Sequence, residues 1–305
     1  MQLKSFRLPL GLAGACLLAA PSLHAQTPPA STLERISQTG TVRLGYREGS
    51  APFSYLDAQG KPIGYSIDLC LKVVDALRKQ PGAPRNLNVE WLPVNSSNRI
   101  AAVQSGRVDL ECGVTTSNKE RRQLVSFAIP TFIAHTRLLV RSDSDIQSIR
   151  DLRNRTVVTT RGTSSEQLFT DYSRERALNA RLNLGQSDRE AFAQVESNQA
   201  QAFVMDDVLL YTLRAGSAQP ANYRITGEKI SIEPLALMLR KDDPGFKKVV
   251  DGEIRRLIQQ GEIYGIYQRW FQSPIPPKGT NLDLPMSYLL RDSFKAPTDW
   301  TPDYL

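Results

Sequence analysis

A chain of 305 residues, 41% of them hydrophobic and 23% charged, can build one large or two medium cores, which excludes a fibrous or disordered protein. Its 38 basic and 31 acidic residues give a formal net charge of +7, but the excess is scattered and not gathered into a stripe with interleaved aromatics. Nucleic-acid binding therefore has little support, whereas a mild positive field suits a small acidic or zwitterionic ligand.

Lys4 and Arg7 precede an apolar run over 8–20, and Pro21-Ser22-Leu23-His24-Ala25 has the look of a cleavage region, so 1–25 read as a secretory signal peptide. Leu12-Ala13-Gly14-Ala15-Cys16 resembles a lipidation site with its leucine one position early, which makes lipidation at Cys16 a minor alternative. Elsewhere no stretch approaches the ~20 apolar residues of a membrane span. Cys70 and Cys112 remain for an oxidising compartment, either as a disulfide or as two buried thiols. With His135 as the histidine of the mature chain and no closely spaced cysteines, neither a metal site nor a cofactor is expected.

A leader over 26–32 gives way to a short helix capped by Ser31 or Thr32 and stopped at Gly40. Residues 41–46 form a strand that runs into Arg47-Glu48-Gly49-Ser50-Ala51-Pro52. Strands 53–56 and 63–65 flank a turn in which Gly60 takes positive φ. From Ser66 the period becomes helical, with Ile67, Cys70, Leu71, Val74 and Leu77 on one face, until Pro81-Gly82. Strand 89–94 precedes Asn95-Ser96-Ser97-Asn98, which caps a helix beginning near Arg99 and stopping near Gly106. Strand 108–112 leads through Gly113 and Val114 into Thr115-Thr116 and then to Arg121 near a helix start, a pattern suited to binding one carboxylate. Strand, helix and strand joined by short links predict an α/β fold with a parallel sheet covered on both faces.

The 127–130 segment breaks this pattern, 136–140 is strand-like, and a second α/β set begins. It comprises a helix over 146–152, a strand over 156–160, a Gly162-Thr163-Ser164 turn opening a helix, a helix over 190–195, and a strand over 202–205 ending at Asp206-Asp207. An extended segment over 230–239 returns the chain to the first set. An amphipathic helix covers 246–259, Ile263, Tyr267, Trp270 and Phe271 form a second apolar stripe, and a proline-rich tail follows. In both sets a glycine and hydroxyl residues follow a strand and precede a helix, where open α/β sheets bind ligands. Thr116, Arg121 and the N–H groups near Thr163 and Ser164 are candidates for an α-carboxylate, and Asp206 for an ammonium. Arg47 and Arg99 converge from other strand ends, with Tyr46, Phe53 and Tyr55 as possible walls. No nucleophile, P-loop or dinucleotide motif appears, and no catalytic residue is assigned.

The order of Gly45-Tyr46-Arg47-Glu48, Pro52-Phe53-Ser54-Tyr55, Gly64-Tyr65-Ser66, Ser96-Ser97-Asn98-Arg99-Ile100, Phe127, Gly162-Thr163-Ser164-Ser165-Glu166, Met205-Asp206-Asp207 and Met238-Leu239-Arg240-Lys241-Asp242-Asp243-Pro244 resembles the periplasmic substrate-binding components of polar amino-acid ABC transporters, and among them the glutamate/aspartate binders. The likeness runs from the signal segment to about Ser273 and is weaker beyond. It implies a two-lobed, type II periplasmic binding protein fold. Lobe 1 would be 26–137 with 235–272, lobe 2 138–234, and 273–305 a tail packed on lobe 1. A periplasmic monomer would capture a free L-amino acid and deliver it to an inner-membrane permease. The resemblance assigns Arg121, Thr116 and the N–H groups around Val114 and Thr163, beside Ser164, to the α-carboxylate and Asp206 to the ammonium. Residues matching Arg47, Ser96 and Arg99 hold the side-chain carboxylate.

Two positions depart from the pattern: Val114 where the glutamate/aspartate members carry a serine, and Asp188 where they carry a histidine. An ionised Asp188 in the pocket would oppose an acidic side chain. Either it pairs with an arginine, or selectivity has moved toward asparagine, glutamine or another polar amino acid. An enzyme of the same fold, such as a cyclohexadienyl dehydratase, would need a proton-transfer residue beside its substrate.

Overall fold

The computed structural model describes residues 1–2, 31–84 and 86–299; most of the expected signal segment, including Cys16, lies outside the described residues. A capping box starts helix α1 (Thr32–Thr39): Ser31 Oγ accepts from Glu34 N while Glu34 accepts from Ser31 N, and Gly40 ends the helix in the left-handed conformation. Strand β1 (Thr41–Tyr46) follows, then a small antiparallel sheet of β2 (Gly49–Ser50), β3 (Ser54–Leu56) and β4 (Pro62–Ile63). Helix α2 (Tyr65–Arg78) buries Ile67, Leu69, Cys70, Val73, Val74 and Leu77. Leu71, expected on that face, points outward instead and is 38% exposed, because the buried stripe runs through 66, 69, 70, 73, 74 and 77 and leaves 71 past its edge.

Strand β5 (Asn88–Pro93), helix α3 (Arg99–Gln104), strand β6 (Leu110–Glu111), helix α4 (Lys119–Arg122) and strand β7 (Val125–Phe127) complete the first set. β1 runs parallel to both β5 and β6, so the ends of all three open on one edge. Strand β8 (Phe132–Ala134) then carries the chain into β9 (Thr136–Arg141) of a second sheet. That sheet adds β10 (Thr156–Thr160), α5 (Ser164–Glu175), β11 (Arg181–Gly185), α6 (Asp188–Glu196), β12 (Ala202–Asp206), α7 (Asp207–Gly216) and β13 (Tyr223–Thr226), in strand order β11-β10-β12-β9-β13. The expected 146–152 helix is a single 3-10 turn at Ile149–Leu152. β11, β13 and α7 are elements that the sequence pattern does not predict.

The returning segment is two strands and not one: β14 (Glu233–Leu235) pairs antiparallel with β8, and β15 (Met238–Arg240) enters the first sheet between β6 and β7. The first sheet is thus mixed, in the order β5-β1-β6-β15-β7, and the outgoing and returning connections run side by side. Helices α8 (Pro244–Gln259) and α9 (Glu262–Phe271) pack on α2 and on each other, and α10 (Tyr288–Ser293) follows the proline-rich stretch. Phe53, Tyr65, Phe132, Tyr267 and Phe271 meet at centroid separations of 4.4–6.1 Å. Pairs of this kind add about 0.5–1.5 kcal/mol each beyond area burial, and here they anchor β8 to α2 and α9.

Cys70 of α2 and Cys112, just past β6, form a disulfide, which resolves the choice left by the sequence. It fastens the start of the 113–116 loop to α2, and Ser66 Oγ adds a 2.8 Å hydrogen bond to the Gly113 carbonyl. The tail reaches beyond the first set. The Tyr55 hydroxyl donates to the Pro276 carbonyl (2.8 Å), and Lys278 Nζ donates to the carbonyl of Gly216 at the end of α7 (2.7 Å).

Candidate functional site

Each candidate stands where a strand stops. Arg47 follows β1, Ser96 and Arg99 follow β5, Val114 and Thr116 follow β6, Thr163 and Ser164 follow β10, Asp188 follows β11, and Asp206 ends β12. Because β1, β5 and β6 are parallel in one sheet and β10, β11 and β12 in the other, these ends share the carboxyl edges of two sheets. Those edges face each other across a narrow cavity of only about 10 Å³, room for roughly one water, so the two edges stand nearly closed on each other. Arg47, Ser96, Arg99, Val114, Thr116, Arg121, Thr163, Ser164, Asp188 and Asp206 all line it, joined by Met205 and Leu209. Tyr46, Phe53 and Tyr55 do not: Phe53 is core, Tyr55 packs on Trp270 and Tyr46 on Trp91.

Asn118 caps α4 by accepting from Arg121 N, which fixes where that arginine begins. Its Nη1 donates to the Thr116 carbonyl (3.1 Å) and its Nη2 to the Gly162 carbonyl (3.4 Å). Arg99 Nη2 donates to the same Gly162 carbonyl (3.3 Å), while its Nε and Nη1 have no partner among the described residues. Arg47 Nη2 donates to Ser96 Oγ (2.8 Å). Burial holds Arg99 well below the usual arginine range, and Arg121 and Arg47 add repulsion. Burial also lowers Arg121, against the pull of Glu233, Asp206 and Glu111.

Opposite them, Thr163 caps α5 by accepting from Glu166 N, and Glu166 reaches back to Gly162 N (2.6 Å). The turn therefore presents its carbonyl and the α5 N-terminus to the cavity. Thr116 Oγ1 and Ser164 Oγ meet at 3.3 Å. Asp206 is 5% exposed, and its Oδ1 has no partner among the described residues. Burial pushes its carboxyl well above the ordinary range, with Glu233, Asp207 and Asp188 adding to the effect and Arg121 opposing it. Asp207 turns the other way, accepting from His135 N (3.2 Å).

Asp188 is the first residue of α6, capped by Ser187. Its partners are hydroxyls: Thr160 Oγ1 donates to Oδ1 (2.7 Å) and Ser50 Oγ to Oδ2 (3.4 Å). The sequence also gave no role to Met205 and Leu209, or to the buried acids Glu111 and Glu233 near the arginines. Two acids, Asp109 and Glu111, alternate with apolar residues over 108–112, so charge inside that segment did not single out Glu111. A fixed cation-rich side facing an acidic anchor can hold a zwitterion, and the arginines leave donors for a second acidic group.

The sequence pattern of the bacterial extracellular solute-binding proteins, family 3, matches residues 42–273. An L-glutamate/L-aspartate-binding protein of Pseudomonas aeruginosa is 43% identical over 286 residues, covering 93% of this chain and 94% of that protein. A glutamate/aspartate import solute-binding protein of Escherichia coli strain K12 is 40% identical over 269 residues, 88% of this chain and 89% of that one. Among solved structures, an ancestral arginine-binding protein bound to arginine superposes with a TM-score of 0.68 at 28% identity, covering 76% of this chain and 98% of that one.

Proposed function

Since the chain belongs to the bacterial extracellular solute-binding proteins, family 3, we propose that it captures glutamate or aspartate in the periplasm and delivers it to an inner-membrane ABC permease. In this reading residues 26–137 with 235–272 form one lobe and 138–234 the other, the monomer closing about the paired β8 and β14 connections. Arg121, Thr116, the N–H groups at Val114 and Thr163, and Ser164 take the α-carboxylate. Asp206 takes the ammonium, and Arg47, Ser96 and Arg99 take the side-chain carboxylate. Val114 in place of a serine costs a hydroxyl but leaves the backbone N–H available.

The observation that carries the choice of an acidic ligand is the pair of buried, unpartnered donors on Arg99, set against Asp188. Both of its oxygens already accept hydroxyl hydrogen bonds from Thr160 and Ser50. Each oxygen keeps a further acceptor site, so the preference for an acid rests on the Arg99 Nε and Nη1 donors, which stand without partners among the described residues. Capture rather than catalysis is the expected role, in keeping with the names of the relatives. Titration calorimetry against the twenty amino acids tests it. Glutamate and aspartate are expected to bind with micromolar or tighter affinity, about 8 kcal/mol or more, and ahead of glutamine and asparagine. A preference for an amide ligand, or no saturable binding of either acid, would overturn the assignment.

A further inference from the structure

Guanidinium groups crowded into one buried wall repel one another, and without bulk water little screens them. Arg47, Arg99 and Arg121 are 6, 2 and 8% exposed and line the same cavity. Most acids near them are engaged elsewhere: Asp188 with two hydroxyls, and Glu233 with Ser231 Oγ (2.6 Å) on a strand of the returning connection. Asp206 ends β12 in the other sheet.

Glu111 shares a buried, unpartnered oxygen with Asp206 but stands in the sheet from whose strand ends the arginines rise. It is the last residue of β6 and is fully buried, with Thr115 Oγ1 donating to its Oε2 (2.9 Å). Its Oε1 is also buried and has no hydrogen-bond partner among the described residues. That oxygen lies against Gly113: a Cβ added there would sit 2.0 Å from Glu111 Oε1 and 3.0 Å from Arg47 Cγ. The absence of a side chain at position 113 thus lets the carboxylate and the Arg47 stem press on the same spot. Its negative charge also favours the charged forms of Arg99 and Arg121.

We infer that Glu111 is a positioning residue, the resident counter-ion of the Arg47–Arg99–Arg121 trio, and that it sets ligand affinity by competing electrostatically with the carboxylates of an incoming acidic amino acid. The inference rests on the ligand class proposed above. Neutralising Glu111 removes the charge that holds the trio together before ligand arrives and leaves a more positive cavity for an anion. The protein becomes less stable alone and binds an anion more tightly.

The test compares wild type, Glu111→Gln and Glu111→Asp by calorimetry with L-glutamate and L-glutamine, and by thermal unfolding without amino acid in low and high sodium chloride. Glu111→Gln is expected to tighten glutamate binding about tenfold while glutamine moves less than about threefold. Its melting temperature falls at low salt and recovers at high salt, where chloride supplies the missing anion. Glu111→Asp, which keeps the charge but draws it back by one methylene, is expected to give a gain of about threefold for glutamate, and it carries the test if the glutamine variant does not fold. Equal shifts for both ligands, weaker glutamate binding, or a salt-independent loss of stability would make Glu111 a structural residue only. Should wild type bind neither amino acid, the ligand assignment falls, and the salt dependence of melting still decides the role of Glu111.

Discussion

The Asp206 carboxyl closes β12 with Oδ1 buried and unpartnered among the described residues, in the company of Glu233, Asp207 and Asp188. Its folded-state pKa therefore lies above its unfolded value, and the folded chain holds this proton more tightly than the unfolded one. Stability from this group is present at acidic pH and is lost as pH rises from the ordinary carboxylate range through the raised value. Asp206→Asn is accordingly expected to raise the melting temperature of the ligand-free protein at pH 7, with the advantage shrinking toward acidic pH. The same change removes the proposed ammonium anchor and is expected to weaken amino-acid binding by about 2–5 kcal/mol, read by calorimetry. A melting temperature that falls at pH 7 would show that Asp206 is ionised and stably paired without ligand. Asp206 was legible in the sequence because an acid ending a buried strand is uncommon. The partners of Asp188 were not, since Thr160 and Ser50 lie 28 and 138 residues away.

At the scale of elements, the turn between β10 and α5 does two jobs, and both depend on Gly162. Its φ of +77° is left-handed, and a Cβ there would meet Ser96 O at 2.7 Å and Ser97 Cα at 2.9 Å, backbone atoms of the opposite edge. Gly162→Ala is expected to cost about 1–2 kcal/mol of stability from the backbone conformation alone. It is also expected to lower ligand affinity at least about tenfold, because the edges can no longer meet with the Gly162 carbonyl under Arg99 and Arg121. Unchanged affinity in calorimetry would show that this close approach is not required. The 113–116 loop is held in another way, by the Cys70–Cys112 disulfide to α2. Reduction, or replacing both cysteines by alanine, is expected to cost about 2–4 kcal/mol in denaturant unfolding, given the 42-residue separation. The helix caps were readable at Ser31, and the strand ends at Arg47 and Asp206, because each is specified by neighbours a few residues away. β11 and β13 escaped notice because their burial is partial or mixed and gives no clear alternation.

For the whole molecule, the hydrogen bonds across the cavity are few: both guanidinium bonds to Gly162, Ser50 with Asp188, Thr116 with Ser164, and Ser97 Oγ with the Arg161 carbonyl (3.5 Å). Contacts of this kind separate at low cost, whereas the β8–β14 pairing and the aromatic cluster behind it resist change. Adding glutamate is therefore expected to reduce the radius of gyration in small-angle X-ray scattering. At a hundredfold excess over Kd it should add about 2.7 kcal/mol of stability in thermal unfolding. No change in dimensions on saturation would argue for a rigid pocket. The amino-acid sequence by itself determined the alternation of strand and helix, the placement of Arg47, Thr116 and Asp206 at strand ends and of Arg99 and Arg121 in the helices that follow, and the family likeness. Hydrophobic period, caps and turn glycines act within a few residues of the chain. Tertiary structure alone decided that Cys70 reaches Cys112, that Asp188 is held by hydroxyls and not by an arginine among the described residues, and that Glu111 lies against Gly113 beside the Arg47 stem. The reason is that a buried charge takes its state from whatever distant segments the fold brings against it, and no local pattern encodes that company.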